Sequence, residues 1–116
     1  ANHAFYENWL GDRPGVSFVP EPEGSFANRW LTCVLIDPTV AGFTREDLRL
    51  TWEADNIESR PLWKPMHLQP AYAGCAFYGD GTSESLFDRG LCLPSGSNLT
   101  DTDRPRIREA GEGVFE

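Results

Sequence analysis

The chain has 116 residues, and its 40% apolar content, with four tryptophans and seven phenylalanines, is typical of one globular domain rather than of a disordered segment. A formal net charge of -8 argues against a nucleic-acid-binding surface, because such surfaces need clustered basic residues. No apolar run reaches the roughly 18 residues that a membrane span requires, so neither nucleic acid nor a membrane is expected as a partner.

The first predicted element is a helix. Residues 2–10 have helical spacing, with Phe5, Trp9 and Leu10 on one side, and residues 11–15 end this helix and turn the chain. Because the helix starts abruptly and no initiator methionine precedes it, we expect the chain to be a piece of a longer protein.

Two strands are expected next. Residues 16–19 predict a short strand, closed by the proline-rich loop 20–24. Residues 30–36 predict the strongest strand of the chain because they form a β-branched and apolar run, which Asp37 and Pro38 end.

A helix is expected to begin after Thr44, whose side chain would cap it together with Asp47 three residues later. The apolar positions predicted to carry this helix are Leu48, Leu50, Trp52 and Ala54.

The next segments are an edge strand and a second capped helix. Residues 59–63 are predicted to be extended and to lie at a sheet edge, since Pro61 has no amide hydrogen to donate. The second helix is expected to use Ser83 as its cap and to run through Asp88 until Gly90 ends it.

The last elements are a three-residue strand and a terminal helix. Residues 91–93 form the strand, which Pro94 stops, and Thr100 or Asp101 caps a helix through residues 104–108. Helices and short strands alternate here without the regular spacing of a parallel βαβ array. The pattern therefore predicts an α+β fold (an α/β sandwich), with a small, mainly antiparallel sheet and helices packed on one face.

The three cysteines predict free thiols. Their number is odd, none lies in a C-x-x-C pair, and Cys33 and Cys92 fall in apolar, strand-like runs. Buried free thiols in a reducing, cytoplasmic compartment fit this pattern better than a disulfide or a metal site. His3 and His67 also lie far apart in the sequence without ligand-spaced partners, so no metal is predicted.

Residues 56–70 are the most distinctive stretch of the chain. They combine Arg60, Lys64 and His67 with three prolines, and neither a helical nor a strand period runs through them. Lys64 is the only lysine in the sequence. Rigid loops with such side chains carry function more often than the elements around them, so we predict a binding loop held in one shape.

Each of three residues in this loop has two interpretations. Arg60 either grips a carboxylate or phosphate with its planar guanidinium group or forms an ion pair with Glu58. His67 either acts as a hydrogen-bond donor or proton carrier, or is satisfied by backbone atoms in the loop. Trp63 either stacks on a sugar or base ring or anchors the core.

The other polar residues give weaker signals. Lys64 is interpreted as an electrostatic contact for phosphate rather than a Schiff-base nucleophile, because no neighbouring residue is arranged to activate its amine. Gln69 and Tyr72 are candidate donors to substrate hydroxyl groups, with ordinary loop packing as the alternative. The serines lack a nucleophile-elbow sequence, and phosphate-binding glycine patterns are absent from the sequence.

The chain resembles a known family at three places. These are Asn28-Arg-Trp-Leu-Thr32, residues 56–70, and Ser83-Glu84 followed by Gly90-Leu-Cys-Leu-Pro-Ser-Gly-Ser-Asn-Leu-Thr100. They are similar to the C-terminal part of the DegT/StrS-type sugar aminotransferases, which use pyridoxal phosphate and have the aspartate aminotransferase fold. The similarity is closest to the branch that acts on nucleotide-linked keto-sugars for surface glycans and for pilin or flagellin glycosylation.

The resemblance implies that residues 1–116 are the small C-terminal domain of a much longer, homodimeric fold-type-I transferase. The large domain would carry the lysine that binds pyridoxal phosphate, so the chain alone is expected to bind no cofactor and to be inactive. The implied substrates are a nucleotide sugar and an amino donor. The residues implied to bind substrate are Arg60, Trp63, Lys64, His67, Gln69 and Tyr72, with no catalytic residue among them.

Two other interpretations stay open at this point. The chain could be a stand-alone nucleotide-sugar-binding or regulatory module without chemistry, or a structural domain that associates with a separate large subunit. A reading frame that encodes a cofactor-binding lysine domain upstream would favour the enzyme.

Overall fold

The computed structural model describes residues 1–115. The elements in chain order are α1 (Asn2–Leu10), β1 (Val16–Phe18), β2 (Thr32–Ile36), α2 (Pro38–Ala41), α3 (Arg45–Ala54), β3 (Arg60–Pro61), two 3-10 turns (Met66–Leu68 and Pro70–Tyr72), α4 (Thr82–Arg89), β4 (Gly90–Leu93) and α5 (Asp103–Glu112).

The four strands form one antiparallel sheet in the order β1-β2-β4-β3. The last strand in sequence, β4, therefore lies inside the sheet, and all four of its residues are buried. The strand β3 lies at the edge of the sheet next to β4, as the position of Pro61 predicts. The small antiparallel sheet with accompanying helices confirms the predicted α+β class.

One face of the sheet packs against α1, α3 and α5. Successive strand residues point to opposite faces, so Thr32, Val34 and Ile36 turn inward while the residues between them face the other way. The helices cover this inner face with large side chains that are almost fully buried. These are Tyr6, Trp9, Leu10, Leu48, Trp52 and Ile107.

Of the three predicted helix caps, only Thr44 occupies the N-cap position of its helix. Thr44 and Asp47 exchange hydrogen bonds as a capping box, with Thr44 N donating to Asp47 Oδ2 at 2.7 Å. Thr100 and Asp103 make the same exchange, but α5 begins at Asp103 and its N-cap position is Thr102 rather than the predicted Thr100 or Asp101. The prediction of Ser83 as a cap is wrong, because α4 begins at Thr82 and the Thr82 amide donates to the side chain of Asp80.

The apolar faces of two helices differ from the predicted ones. In α3 the spacing of 3.6 residues per turn buries Leu48 and Trp52 together, which leaves Leu50 and Ala54 exposed. In α1 the residue packed most deeply is Tyr6, whose hydroxyl donates to the Pro94 carbonyl at 2.7 Å. This bond lets an aromatic ring with a polar end enter the core.

Two further predictions are corrected by local geometry. Trp30 lies outside β2 and is 70% exposed, because β2 begins at Thr32. The thiols are not uniformly buried: Cys92 is buried, Cys33 is half-buried and Cys75 is exposed. Cys33 and Cys92 both face away from the helix-covered side of the sheet.

Candidate functional site

The segment 56–72 follows a fixed path along one edge of the domain. After β3 it forms the two 3-10 turns, and these are closed by backbone bonds such as Leu68 N to the Pro65 carbonyl at 3.0 Å and Tyr72 N to the Gln69 carbonyl at 2.9 Å. The Gln69 side chain adds a bond by donating to the Lys64 carbonyl at 3.3 Å. The segment therefore holds much of its shape through its own backbone and prolines.

Arg60 projects from the edge strand and is paired with Glu58. Its Nε donates to Glu58 Oε1 at 2.7 Å, and both side chains are largely exposed. An ion pair this exposed contributes only about 0–1 kcal/mol, so the guanidinium group can exchange Glu58 for another anion at little cost. Of the two interpretations of Arg60, the ion pair is the one present in this structure.

Trp63 does not anchor the core. It is 69% exposed and lies beside the equally exposed Trp30, with ring centroids 6.3 Å apart and planes inclined by 44°. Two open indole faces on one surface offer stacking positions for a planar or sugar ring.

These tryptophans line a cleft of 740 Å³ between the β3–β4 edge and the start of α5. Arg60 and Arg106 also line it, and Arg106 is held in place by donating to the Asp55 carbonyl at 2.5 Å. The buried Ser59 Oγ on the same wall has no hydrogen-bond partner in the described chain. A cleft of this size, with aromatic faces and two guanidinium groups, suits a ligand with a ring and anionic groups.

Acidic side chains reduce the positive charge of the same cleft. Glu58 and Asp103 both line it. The Thr100 hydroxyl and amide bonded to Asp103 hold the pKa of this carboxyl below its ordinary value, so Asp103 stays ionised at the N-terminus of α5. The positive charge of Arg60 and Arg106 is thus locally compensated, and an anionic ligand would compete with these carboxylates.

His67 lies away from the cleft and connects the segment to α4. Its Nε2 is 2.5 Å from Glu84 Oε1, and its ring stacks on Phe77 with centroids 3.6 Å apart. The His67 side chain is mostly covered by its neighbours. Its partner is the carboxylate of Glu84 rather than the backbone atoms that the sequence suggested. Within this chain the contacts make His67 a fixed, oriented imidazole.

The predicted site residues therefore form two groups. Arg60 and Trp63 share the 740 Å³ cleft, whereas Lys64, His67, Gln69 and Tyr72 belong to none of its walls. Sequence reasoning missed most of the cleft wall. Trp30, Ser95 and Arg106 were missed because they come from a loop, the end of a strand and a helix that are distant in sequence from Arg60. Ser59 directly precedes Arg60 but gives no sequence signal of its own.

The described residues do not fit a pyridoxal phosphate site. The only lysine, Lys64, is exposed in the segment and does not line the 740 Å³ cleft formed by residues within 1–115. The same residues contain no cluster of three or more histidine, cysteine or acidic side chains that could hold a metal ion. In the described part of the chain, no helix has the length and apolarity needed to cross a membrane.

Comparison with known proteins gives relatives of one kind. EpsN of Bacillus subtilis, assigned as a pyridoxal phosphate-dependent aminotransferase, is 43% identical over 108 residues, which are 90% of this chain and 27% of EpsN. GDP-perosamine synthase of Vibrio cholerae is 35% identical over 96 residues, 82% of this chain and 26% of that protein. The chain thus spans about a quarter of the length of these relatives.

Solved structures agree with the sequence relatives. DesI, determined in the presence of its TDP-sugar product, matches 94% of this chain with a TM-score of 0.79 and 29% identity, over 28% of its own length. DesV of S. venezuelae, in complex with a ketimine intermediate, matches 98% of this chain with a TM-score of 0.75 and 29% identity, over 30% of its length. These matches confirm the predicted partial fold-type-I domain.

The sequence profile of one family, described as the DegT/DnrJ/EryC1/StrS aminotransferase family, matches residues 1–110. This match covers nearly the whole chain and agrees with both sets of relatives. The chain therefore belongs to the DegT/DnrJ/EryC1/StrS aminotransferase family.

Proposed function

We propose that this chain is the C-terminal domain of a pyridoxal phosphate-dependent aminotransferase that transfers an amino group to a nucleotide-linked keto-sugar. The observation that carries the proposal is the 43% identity to EpsN over 90% of the chain. Two further relatives are consistent with such a substrate, since one is named a GDP-perosamine synthase and another was determined with a TDP-sugar product.

The cleft supports a nucleotide-sugar ligand on physical grounds. A nucleoside diphosphate sugar combines rings with negative charge, and the cleft combines Trp30 and Trp63 with Arg60 and Arg106. The chain as a whole carries a net charge of -8, so an anionic ligand needs such local cations to bind. We propose that the segment 56–72 forms part of the wall that faces this substrate.

The proposal also includes four residues of the segment 56–72 that do not line the cleft: Lys64, His67, Gln69 and Tyr72. With Glu84 holding one nitrogen of His67, the imidazole is oriented before any ligand arrives, which lowers the entropy cost of binding. In the longer enzyme His67 and Lys64 would meet the sugar or its diphosphate, and Gln69 and Tyr72 would contact hydroxyl groups.

The chemistry itself is assigned to residues outside this chain. Since the described residues do not fit pyridoxal phosphate, the remainder of the longer protein is proposed to supply the cofactor, the lysine that binds it and the amino-donor site. The isolated chain is accordingly expected to be inactive. Homodimer formation, a cytoplasmic location and a role in surface-glycan or pilin glycosylation complete the proposal.

The alternative is a stand-alone module that binds a nucleotide sugar without chemistry. The same cleft would serve it, because none of the cleft contacts named above depends on a cofactor. An assay that measures both binding and amino transfer distinguishes the two functions, because the module would bind the nucleotide sugar without transferring an amino group.

The test uses the protein expressed from its complete reading frame, supplied with pyridoxal phosphate, L-glutamate and a nucleotide-linked keto-sugar. The expected result is a nucleotide-linked amino sugar identified by mass spectrometry, and none from residues 1–116 alone. Binding of the nucleotide sugar without amino transfer by the cofactor-loaded protein would favour the module. Neither binding nor transfer across GDP-, UDP- and TDP-linked keto-sugars would contradict the proposal.

A further inference from the structure

Cys33 and Cys92 face each other across the two central strands of the sheet. They are register partners in the antiparallel pairing of β2 with β4, and their sulfur atoms are 3.7 Å apart. Residues directly opposite each other point to the same face, so both thiols lie on the side of the sheet that the helical core does not use.

The backbone pattern favours a bond between these two sulfur atoms. The Leu62 amide donates to the Gly90 carbonyl, so Gly90 and Cys92 direct their backbone groups toward β3. Cys33 and Cys92 are consequently a non-hydrogen-bonded pair, in which the Cα atoms are only about 4.5 Å apart. This typical spacing lies near the lower end of the range of about 4.4–6.8 Å that disulfides span, so the strand pairing permits closure.

The two thiols differ in access and in acidity. Cys33 is half-buried and lines a 510 Å³ cavity, whereas Cys92 is only 5% exposed. The hydrogen bond from the Cys92 thiol lowers the pKa of Cys33 to about 7, against the opposing effect of its partial burial. The same bond, together with burial, raises the pKa of Cys92. Cys33 is therefore the sulfur that ionises first and that a reagent reaches first.

We propose that Cys33 and Cys92 form a redox-active dithiol, a modification site at which a low-molecular-weight disulfide such as oxidised glutathione converts the pair to a cross-strand disulfide.

The reaction takes two exchange steps. The Cys33 thiolate attacks one sulfur of oxidised glutathione, forming a mixed disulfide and releasing one glutathione thiolate, which takes up the proton that Cys33 lost. Cys92 then loses its proton to solvent and attacks the Cys33 sulfur, and a second glutathione thiolate leaves and is protonated. Two protein thiols are oxidised, and one glutathione disulfide is reduced to two thiols.

The experiment uses the folded Cys75→Ser chain, because Cys75 is the exposed third thiol and would form adducts of its own. After exposure to oxidised glutathione, free thiols are alkylated and the chain is digested with trypsin. Cleavage after arginine, except before proline, separates Cys33 in residues 30–45 from Cys92 in residues 90–106. The expected product is one pair of disulfide-linked peptides without glutathione, which dithiothreitol separates again.

Two controls distinguish this site from ordinary thiol oxidation. Adding Cys92→Ser is expected to leave one glutathione on Cys33, since nothing can displace it. In the Cys75→Ser chain without oxidant, Cys33 is expected to alkylate at least about tenfold faster than Cys92 near neutral pH, and urea should abolish the difference. Glutathione retained on Cys33 while Cys92 is intact, two unreacted thiols, or faster alkylation of Cys92 would each overturn the proposal.

Discussion

The two sides of the sheet differ in how far their large apolar side chains are buried. On the inner side, helices α1, α3 and α5 close a core that includes Trp9 and Trp52, and the Trp52 indole donates to the Ile107 carbonyl at 2.9 Å. On the other side, tryptophan side chains stay open to solvent. Apart from Val40 and Leu50, every exposed large apolar side chain among residues 1–115 lies in segments 19–30 or 63–78.

This difference separates stability from function within one small domain. The inner side is closely packed and has few open apolar surfaces, as a folding core requires. Clustered apolar groups on an open surface mark a place where something binds. We therefore expect substitutions on the inner side to change the free energy of unfolding, and those at the cleft to change binding.

The largest expected effect is the contrast between two tryptophans. Trp52→Ala removes a fully buried indole with its hydrogen bond, and should lower the free energy of unfolding by about 3–5 kcal/mol. Trp63→Ala should change it by less than about 1 kcal/mol. Urea unfolding followed by circular dichroism measures both, and equal losses would contradict the division into two sides.

A smaller contrast of the same kind involves two glycines at the end of α5. A Cβ at Gly111 would lie 2.9 Å from the Trp9 ring and 3.0 Å from Trp52 Nε1, so Gly111→Ala should destabilise the chain by about 1–3 kcal/mol. A Cβ at Gly113 meets no atom of residues 1–115 within 4 Å, so Gly113→Ala is expected to be neutral. Thermal unfolding of both variants tests this, and a neutral Gly111→Ala would show that the packing around Trp52 is loose.

Helix capping should give an effect of about 1 kcal/mol. Thr44→Ala removes the side chain that accepts from Asp47 N at 3.2 Å, and is expected to lower the free energy of unfolding by that amount. Ser83→Ala is the matched control, because Ser83 is exposed and α4 begins without its help. Urea unfolding midpoints should differ between the two variants. A larger loss of stability for Ser83→Ala would support Ser83 as the cap of α4, as the sequence predicts.

The smallest predicted effect is a pH dependence at low pH. Bonds from Thr44 lower the pKa of Asp47, and bonds from Thr100 lower that of Asp103. A carboxyl whose pKa is lowered by folding stabilises the native state above its unfolded value of about 4, and this contribution disappears as the pH falls through the lowered pKa.

Urea midpoints should therefore be flat from neutral pH down to about pH 5 and decline below about pH 4. Replacing both carboxylates by Asp47→Asn and Asp103→Asn should make that decline shallower. If the decline below pH 4 were the same in the double variant, Asp47 and Asp103 would not be the groups that cause it.

Local signals in the sequence predicted much of the fold. Thr44 with Asp47 locates the start of α3 because a cap needs only neighbouring residues. Pro61 located an edge strand by the hydrogen bond that it cannot make. Ser83 failed because Asp80, two residues before α4, competes successfully for the first amide.

The site was less predictable because it depends on contacts between distant residues. The cleft joins Trp30 to Trp63 and Arg60 to Arg106, and no local pattern indicates which of these side chains meet. The opposition of Cys33 and Cys92 likewise follows from strand register, which depends on the whole sheet. The sequence alone singled out residues 56–70, because three prolines restrict the conformation of this stretch.

The most direct test of the proposed role of that segment is the affinity of the complete, cofactor-loaded protein for a nucleoside diphosphate sugar, measured by calorimetry. We predict that Trp63→Ala weakens binding at least about tenfold, equivalent to about 1.4 kcal/mol, while Leu50→Ala, an exposed apolar residue away from the cleft, leaves it unchanged. Equal affinities for the two variants would contradict the assignment of this surface to the substrate.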